Sequence, residues 1–330
     1  MKPQRSAKKN DTSGNKPERI LFFDIVRIIC VAVIVYDHSR FYLIEGINQF
    51  FFSDGNGPLN IYTSGLQGFA VFGMIFVSGA VLEYNYRGLE RISGYSQFLF
   101  RRFIRLYPAF WMSLILGIIL FPAVAQQNIA GVLFEFTGFF VILGKGPGII
   151  NIMGWFIAAI FSLYILYPWF SQLVRRYQFG CIIALCLITW GSRSLVLTYN
   201  LIPLDLFWRW FPLFNAFEFC LGIYLVQNAW YPKKENVYPL IRMLADLSFY
   251  VFIFHVVVGY VFILDIETLR PLIAFNNVIA MNNITIASTL YYLEMLAAIL
   301  LVSWVAMKVD NRLRKWIMQQ NVIRTFLKSG

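Results

Sequence analysis

Arg27 and His38 stand eleven positions apart in "FFDIVRIICVAVIVYDHSRFY", residues 22–42. An imidazole takes and returns a proton near neutral pH, and a guanidinium holds a phosphate or a developing oxyanion. At 100° per residue the spacing is roughly 20° beyond three whole turns, so on a helix both side chains share one face, about 16 Å apart along the axis. Asp24 stands one turn before Arg27, at the i,i+3 spacing of an ion pair. Asp37 lies about 100° round the wheel from His38 and is either an exit-side residue or a further support. The second of the chain's two histidines, His255, sits in "LSFYVFIFHVVVGYVF". Proton transfer to or from a bound group, assisted by a fixed cation, is the chemistry these residue types point to.

A second cluster opens "FRRFIRLYPAFW", residues 100–111. Arg102 and Arg105 are three apart and share a side of a helix entry, with Arg101 adjacent. Guanidinium forks bind phosphate bidentately, and neighbouring aromatic rings can stack a base. Alone, arginines at a helix end do no more than orient a span; beside the stripe in residues 22–42 they suggest a phosphate-bearing ligand. Cys30, Cys181, Cys186 and Cys220 all fall in apolar segments without ligand spacing, so they read as small buried residues and no metal is expected.

The elements that must position these groups are apolar. The chain has 330 residues, 59% hydrophobic and 14% charged, with a mean hydropathy of +0.63. An average soluble domain carries roughly 25% charged residues. Apolar runs of about 20 residues, the length that crosses a ~30 Å hydrocarbon layer as helix, fall at 20–42, 65–86, 103–123, 150–173, 179–198, 207–229, 241–264 and 286–307. The expected fold is all-α: a polytopic helix bundle with eight to ten spans. Residues 129–144 and 272–283 are candidate half-spans. An ionisable group inside a span costs at least ~2.5–3.5 kcal/mol at the centre, which marks Arg27, His38 and His255 as candidate functional residues. Both histidines are expected at similar depth in the outer half.

A net charge of +11 would suggest nucleic acid in a soluble protein. Here most of the 28 Lys and Arg fall in segments that lie on one side if the N-terminus is cytoplasmic. Both termini are therefore expected inside, with membrane lipids rather than nucleic acid as partners. Residues 1–19 read as a disordered basic tail, 20–307 as one membrane domain, and 308–330 as a basic amphipathic tail suited to lie on an anionic leaflet. Nineteen polar residues precede the first span, so it is expected to remain in the protein.

Six segments in order resemble acyltransferase family 3, the integral membrane acyltransferases that O-acylate bacterial surface polysaccharides and related glycans. Arg27 and His38 match its Arg, ten residues, His signature, and "FFDIVR" resembles LDxLR. "FGMIFVSGAVL" is similar to FFxLSGF, "RRFIRLYPAFW" to RRxxRIxPxY, and "WFIAAIFSLYILYPWF" to the segment ending in LxYP. "PLFNAFEFCLGIYL" and "LSFYVFIFHVVV" resemble the late FxxGxxL and SYxxYLxH segments. The paired Glu of the fourth-span motif are replaced by Ile160 and Phe161.

The resemblance implies ten helices and an acyl-CoA co-substrate, most often acetyl-CoA, with no bound cofactor. It places the donor near Arg101, Arg102, Arg105 and Tyr107. His38 would act as base on an acceptor hydroxyl or relay the acyl group covalently. Arg27 would bind the donor or stabilise an oxyanion, with Asp24 and Asp37 in support. His255 would orient the acceptor, hold a tetrahedral intermediate or assist His38. The implied acceptor is a cell-surface glycan or lipid-linked saccharide, and the implied location is a prokaryotic cytoplasmic membrane. The alternative from another class is a proton-coupled exporter or flippase of a glycan or small organic acid.

Overall fold

The computed structural model describes residues 19–51, 64–86, 94–139, 148–198, 212–230, 238–264, 266–279, 281 and 284–329. The tail expected at 1–19 lies outside these residues except for Arg19. Among the described residues every regular element is helical: α1 (Leu21–Phe51), α2 (Ser64–Tyr86), α3 (Tyr95–Leu120), α4 (Pro122–Gln127), α5 (Ile129–Glu135), α6 (Gly154–Thr198), a 3₁₀ turn at Pro212–Asn215, α7 (Ala216–Gln227), α8 (Pro239–Leu264), α9 (Ile266–Ile279), α10 (Ile284–Gln319) and α11 (Asn321–Lys328). Among the described residues five helical stretches are long and apolar enough to cross a membrane: Gly68–Tyr86, Tyr95–Leu120, Gly154–Leu195, Pro239–Phe262 and Thr289–Gln319. The protein is thus an all-α polytopic membrane bundle.

α6 spans 45 residues, which as a straight helix would measure about 67 Å, more than twice a ~30 Å hydrocarbon core. It breaks at Gln178, whose backbone is non-helical at φ 50° and ψ −133°. α7 shows how the two halves run. Its start meets Arg193 through Glu218 and its end meets Phe179 through Tyr224, antiparallel to the second half. From the first half, Tyr167 packs on Phe219, and the Ser171 carbonyl accepts from Gln227, the parallel sense. The halves of α6 therefore form a hairpin, matching the two spans expected at 150–173 and 179–198.

α7 has 12 helical residues, fewer than the expected 207–229, of which 207–211 lie outside the described residues. α1 runs on to Phe51, nine residues past the expected end at 42.

The described part of the candidate half-span at 129–144, residues 129–139, does not cross. α5 has seven residues, and the turn after it is fastened to the side of α3: Tyr107 Oη donates to the Thr137 carbonyl at 2.8 Å and Trp111 Nε1 to that of Phe136 at 2.7 Å. Tyr107 lies thirteen residues, about 20 Å, back from the end of α3. The segment leaves α3 and folds back along it; 140–147 lie outside the described residues. α9, which covers most of 272–283, has 14 residues, about 21 Å and short of a crossing.

The core joins α1, α2, α3, α6, α7, α8 and α10. Four ties gather helix ends into one basic face. Arg19, before α1, bonds Asp246 of α8 at 2.7 Å. Arg102 of α3 donates to Tyr86 Oη of α2. Gln97 of α3 donates to the Phe326 carbonyl of α11 at 3.3 Å. Glu83 of α2, fully buried, accepts from Tyr167 and Ser171 of α6 at 2.8 Å each and from Gln227 of α7 at 3.0 Å. A buried carboxylate is tolerable only when its oxygens are satisfied in this way.

Candidate active site

His38 lies seventeen residues into α1 and His255 sixteen into α8, so the two parallel helices carry their imidazoles to one depth. The helices pack together, and the rings meet: His38 Nδ1 is 2.8 Å from His255 Nε2, with centroids 5.1 Å apart and planes at 13°. His255 is buried, His38 half-buried. Helical side chains lean toward their own N-terminus, which brings His255 Nδ1 onto the carbonyls of Phe252, at 2.8 Å, and Val251, at 3.2 Å.

That arrangement assigns the protons. Carbonyl oxygens only accept, so His255 Nδ1 carries its ring's hydrogen and Nε2 its lone pair. His38 Nδ1 must then donate to His255 Nε2, and with both rings neutral the lone pair of His38 is on Nε2. The chain carbonyl–His255–His38 orients a basic nitrogen as the third member of a triad orients its histidine. Asp37 is half-buried and within electrostatic range of His38.

The frame that holds His255 was not foreseen from the sequence. Asn151, fully buried three residues before α6, donates from Nδ2 to the Ile253 carbonyl at 2.9 Å and to Ser113 Oγ at 2.8 Å, and accepts from the Met153 amide at 2.9 Å. Glu135 accepts the amide hydrogens of Ile149, Ile150 and Asn151 at 2.9–3.0 Å. A single acid inside an apolar run was the only available signal. Glu135→Ala would strand three backbone donors, two of them buried, each worth about 1–3 kcal/mol. Its thermal unfolding midpoint in detergent is expected to fall clearly below that of Glu135→Gln, which retains one acceptor oxygen.

At the basic face Asp24, buried, is shared by two arginines: Arg27 Nη1 at 3.4 Å and Arg19 Nε at 3.0 Å. Asp24 thus supports Arg27 and, through Arg19, ties it to α8. Arg101 is exposed. Arg102 turns inward over the rings of Tyr86 (4.9 Å), Phe98 (5.6 Å) and Tyr164 (5.9 Å). Arg105 is solvent-accessible and has Arg27 of α1, Arg102, Tyr164 of α6 and Arg314 of α10 within electrostatic reach. Tyr107 stands apart: buried, stacked on Phe103 at 4.3 Å, its hydroxyl committed to Thr137. It positions the folded-back segment. Among the described residues no group of three or more His, Cys, Asp or Glu could hold a metal.

Fold and site together define a membrane helix bundle with a hydrogen-bonded imidazole pair at one depth and several guanidinium groups at the basic face. Residues 20–260, from the start of α1 to just past His255, match the family model described as the acyltransferase domain of acyltransferase family 3. The chain belongs to that family and is a membrane acyltransferase. No curated protein and no solved structure matches it.

Proposed function

We propose that the protein transfers an acyl group, acetyl in the simplest case, from acyl-CoA to a hydroxyl of a cell-surface glycan or lipid-linked saccharide, in the cytoplasmic membrane of a prokaryote. The observation that carries this reading is the His38–His255 bond, which leaves a basic nitrogen on His38 about 16 Å along α1 from the guanidinium of Arg27. The phosphates of CoA lie at the basic face against Arg27, Arg102 and Arg105, and the pantetheine arm runs inward to the imidazole. His38 Nε2 takes the acceptor's hydroxyl proton as its oxygen attacks the thioester carbonyl. The C–O bond forms, the C–S bond breaks, and the imidazolium returns its proton to the departing thiolate. Packed apolar walls around the pair keep water from the thioester.

The test uses purified protein in nanodiscs with labelled acetyl-CoA and a glycan or lipid-linked saccharide acceptor. Label in the acceptor is the expected result. Solute movement across liposomes without any transfer would replace this reading with the exporter. Arg105→Gln is expected to weaken CoA binding roughly tenfold, the scale of one charge-assisted hydrogen bond. It should also flatten the dependence of that binding on salt; unchanged affinity would reduce the cluster to an orientation signal.

A further inference from the structure

α9, α10 and α11 lie outside the stretch that matches the family, yet α10 packs on α3 and α8. Its inward residues recur every three or four positions: Met295, Ile299, Ser303, Met307 and Asp310, all buried, then Arg314. The neighbouring cations behave differently, with Arg312, Lys315 and Arg324 exposed. Arg314 is the one that continues the inward stripe. It donates to Tyr250 Oη of α8 and to Asp310, and its guanidinium lies 6.0 Å from the Tyr250 ring. Tyr250 in turn bonds Asp310, so a buried acid and a buried phenol fix the guanidinium at the basic face.

Arg314 sits within electrostatic reach of Arg105, which Arg27 reaches from α1. Three helices therefore bring like charges together, and the carboxylates paired with these arginines are Asp24 and Asp310. Like charges within electrostatic reach of one another repel. Folding has nonetheless locked Arg314 inward while its exposed neighbours face away, and an anion bound among the guanidinium groups would offset that repulsion.

We propose that Arg314 is a phosphate-binding residue: with Arg27 and Arg105 it forms a three-sided cradle for a phosphorylated ligand, with Asp310 and Tyr250 as its positioning partners. The ligand is the phosphate portion of CoA, an assignment that rests on the donor reading above; a phospholipid headgroup offers the same chemistry. α10 is then part of the donor site.

The experiment measures binding of CoA and of pyrophosphate to the full chain in nanodiscs of phosphatidylcholine, with and without phosphatidylglycerol. R314Q is compared with R314K and with R324Q, an exposed arginine. In neutral nanodiscs R314Q is expected to lose about tenfold in CoA affinity, with a shallower salt dependence, while R324Q binds as wild type. R314K keeps the charge without the planar fork and should fall between them. Wild-type CoA affinity in R314Q overturns the proposal. If R314Q does not fold, R314K decides, and wild-type affinity there overturns it. Pyrophosphate binding that depends on Arg314, without any CoA binding by the wild type, upholds the cradle and rejects acyl-CoA as donor. Competition by phosphatidylglycerol in the wild type but not in R314Q upholds the cradle with lipid phosphate as its occupant.

Discussion

His38→Ala is expected to lower acyl transfer by roughly 10²–10⁴-fold, the range that a positioned general base contributes, while CoA affinity stays within twofold of wild type. The separation follows from geometry: the imidazole stands about 16 Å along α1 from Arg27, so on the proposed reading its removal leaves the phosphate-binding arginines in place. Steady-state transfer measured alongside direct CoA binding checks both halves. A loss of binding equal to the loss of rate would remove His38 from the chemistry. The same preparation separates base from covalent relay. Acid-quenched enzyme exposed to labelled donor without acceptor should carry no label if Nε2 only moves a proton, and one label per chain if it takes the acyl group.

His255→Ala reaches the same atom indirectly. Without Nε2 of His255, the Nδ1 hydrogen of His38 loses its acceptor at 2.8 Å, and with it the bond that sets the lone pair on Nε2 of His38. The rate should fall by about 10–100-fold, less than for His38→Ala. A glutamine at 255, whose amide oxygen accepts, should restore part of it. A side chain that merely packed would not distinguish Ala from Gln.

The partnership of the histidines was half legible. Their distances from the starts of their spans placed them at one depth, because helical rise is constant. That α1 and α8 are neighbours is a tertiary fact, carried by core contacts between segments some two hundred residues apart, and no periodicity reports it. The hairpin of α6 was legible for the same local reason: two apolar runs flank Arg175 and Arg176, and no helix of 45 residues fits a bilayer. Arg27 with Asp24 also followed from spacing alone. Tyr107 did not. Its place in an arginine-rich motif suggested the ligand, whereas its hydroxyl is spent on a carbonyl that the folded-back segment presents. Asn151 and Glu135 were equally out of reach, since their partners are backbone groups, which every residue carries alike. Arg314 looked like one cation of a basic tail. Ser303, Asp310 and Arg314 share a helical face with Met295 and Ile299, and that periodicity is the signal that would have found it.

Gly79→Ala and Gly222→Ala are expected to be the most disruptive single-methyl changes in the bundle. Among the described residues α2 and α7 form the most extensive helix pair, and their backbones touch where these glycines face. A Cβ on Gly79 would lie 2.1 Å from the Phe219 carbonyl oxygen; one on Gly222 would lie 2.2 Å from that of Phe76 and 2.7 Å from the Ala80 nitrogen. Small residues at such crossings let transmembrane backbones approach closely. No side-chain rotation can relieve a clash with backbone, so the axes must separate, at about 3 kcal/mol or more. Separation would also open the Glu83 cluster one turn along, where Gln227 of α7 reaches across at 3.0 Å, leaving a buried carboxylate short of donors. Gly191→Ala, in the second half of α6, supplies the contrast: its Cβ would meet nothing within 4 Å. There the higher helix propensity of alanine should raise stability by up to ~1 kcal/mol. Unfolding midpoints in one detergent for the three variants test the claim, and a Gly79→Ala midpoint at or above that of wild type would place α2 and α7 farther apart than the structure does.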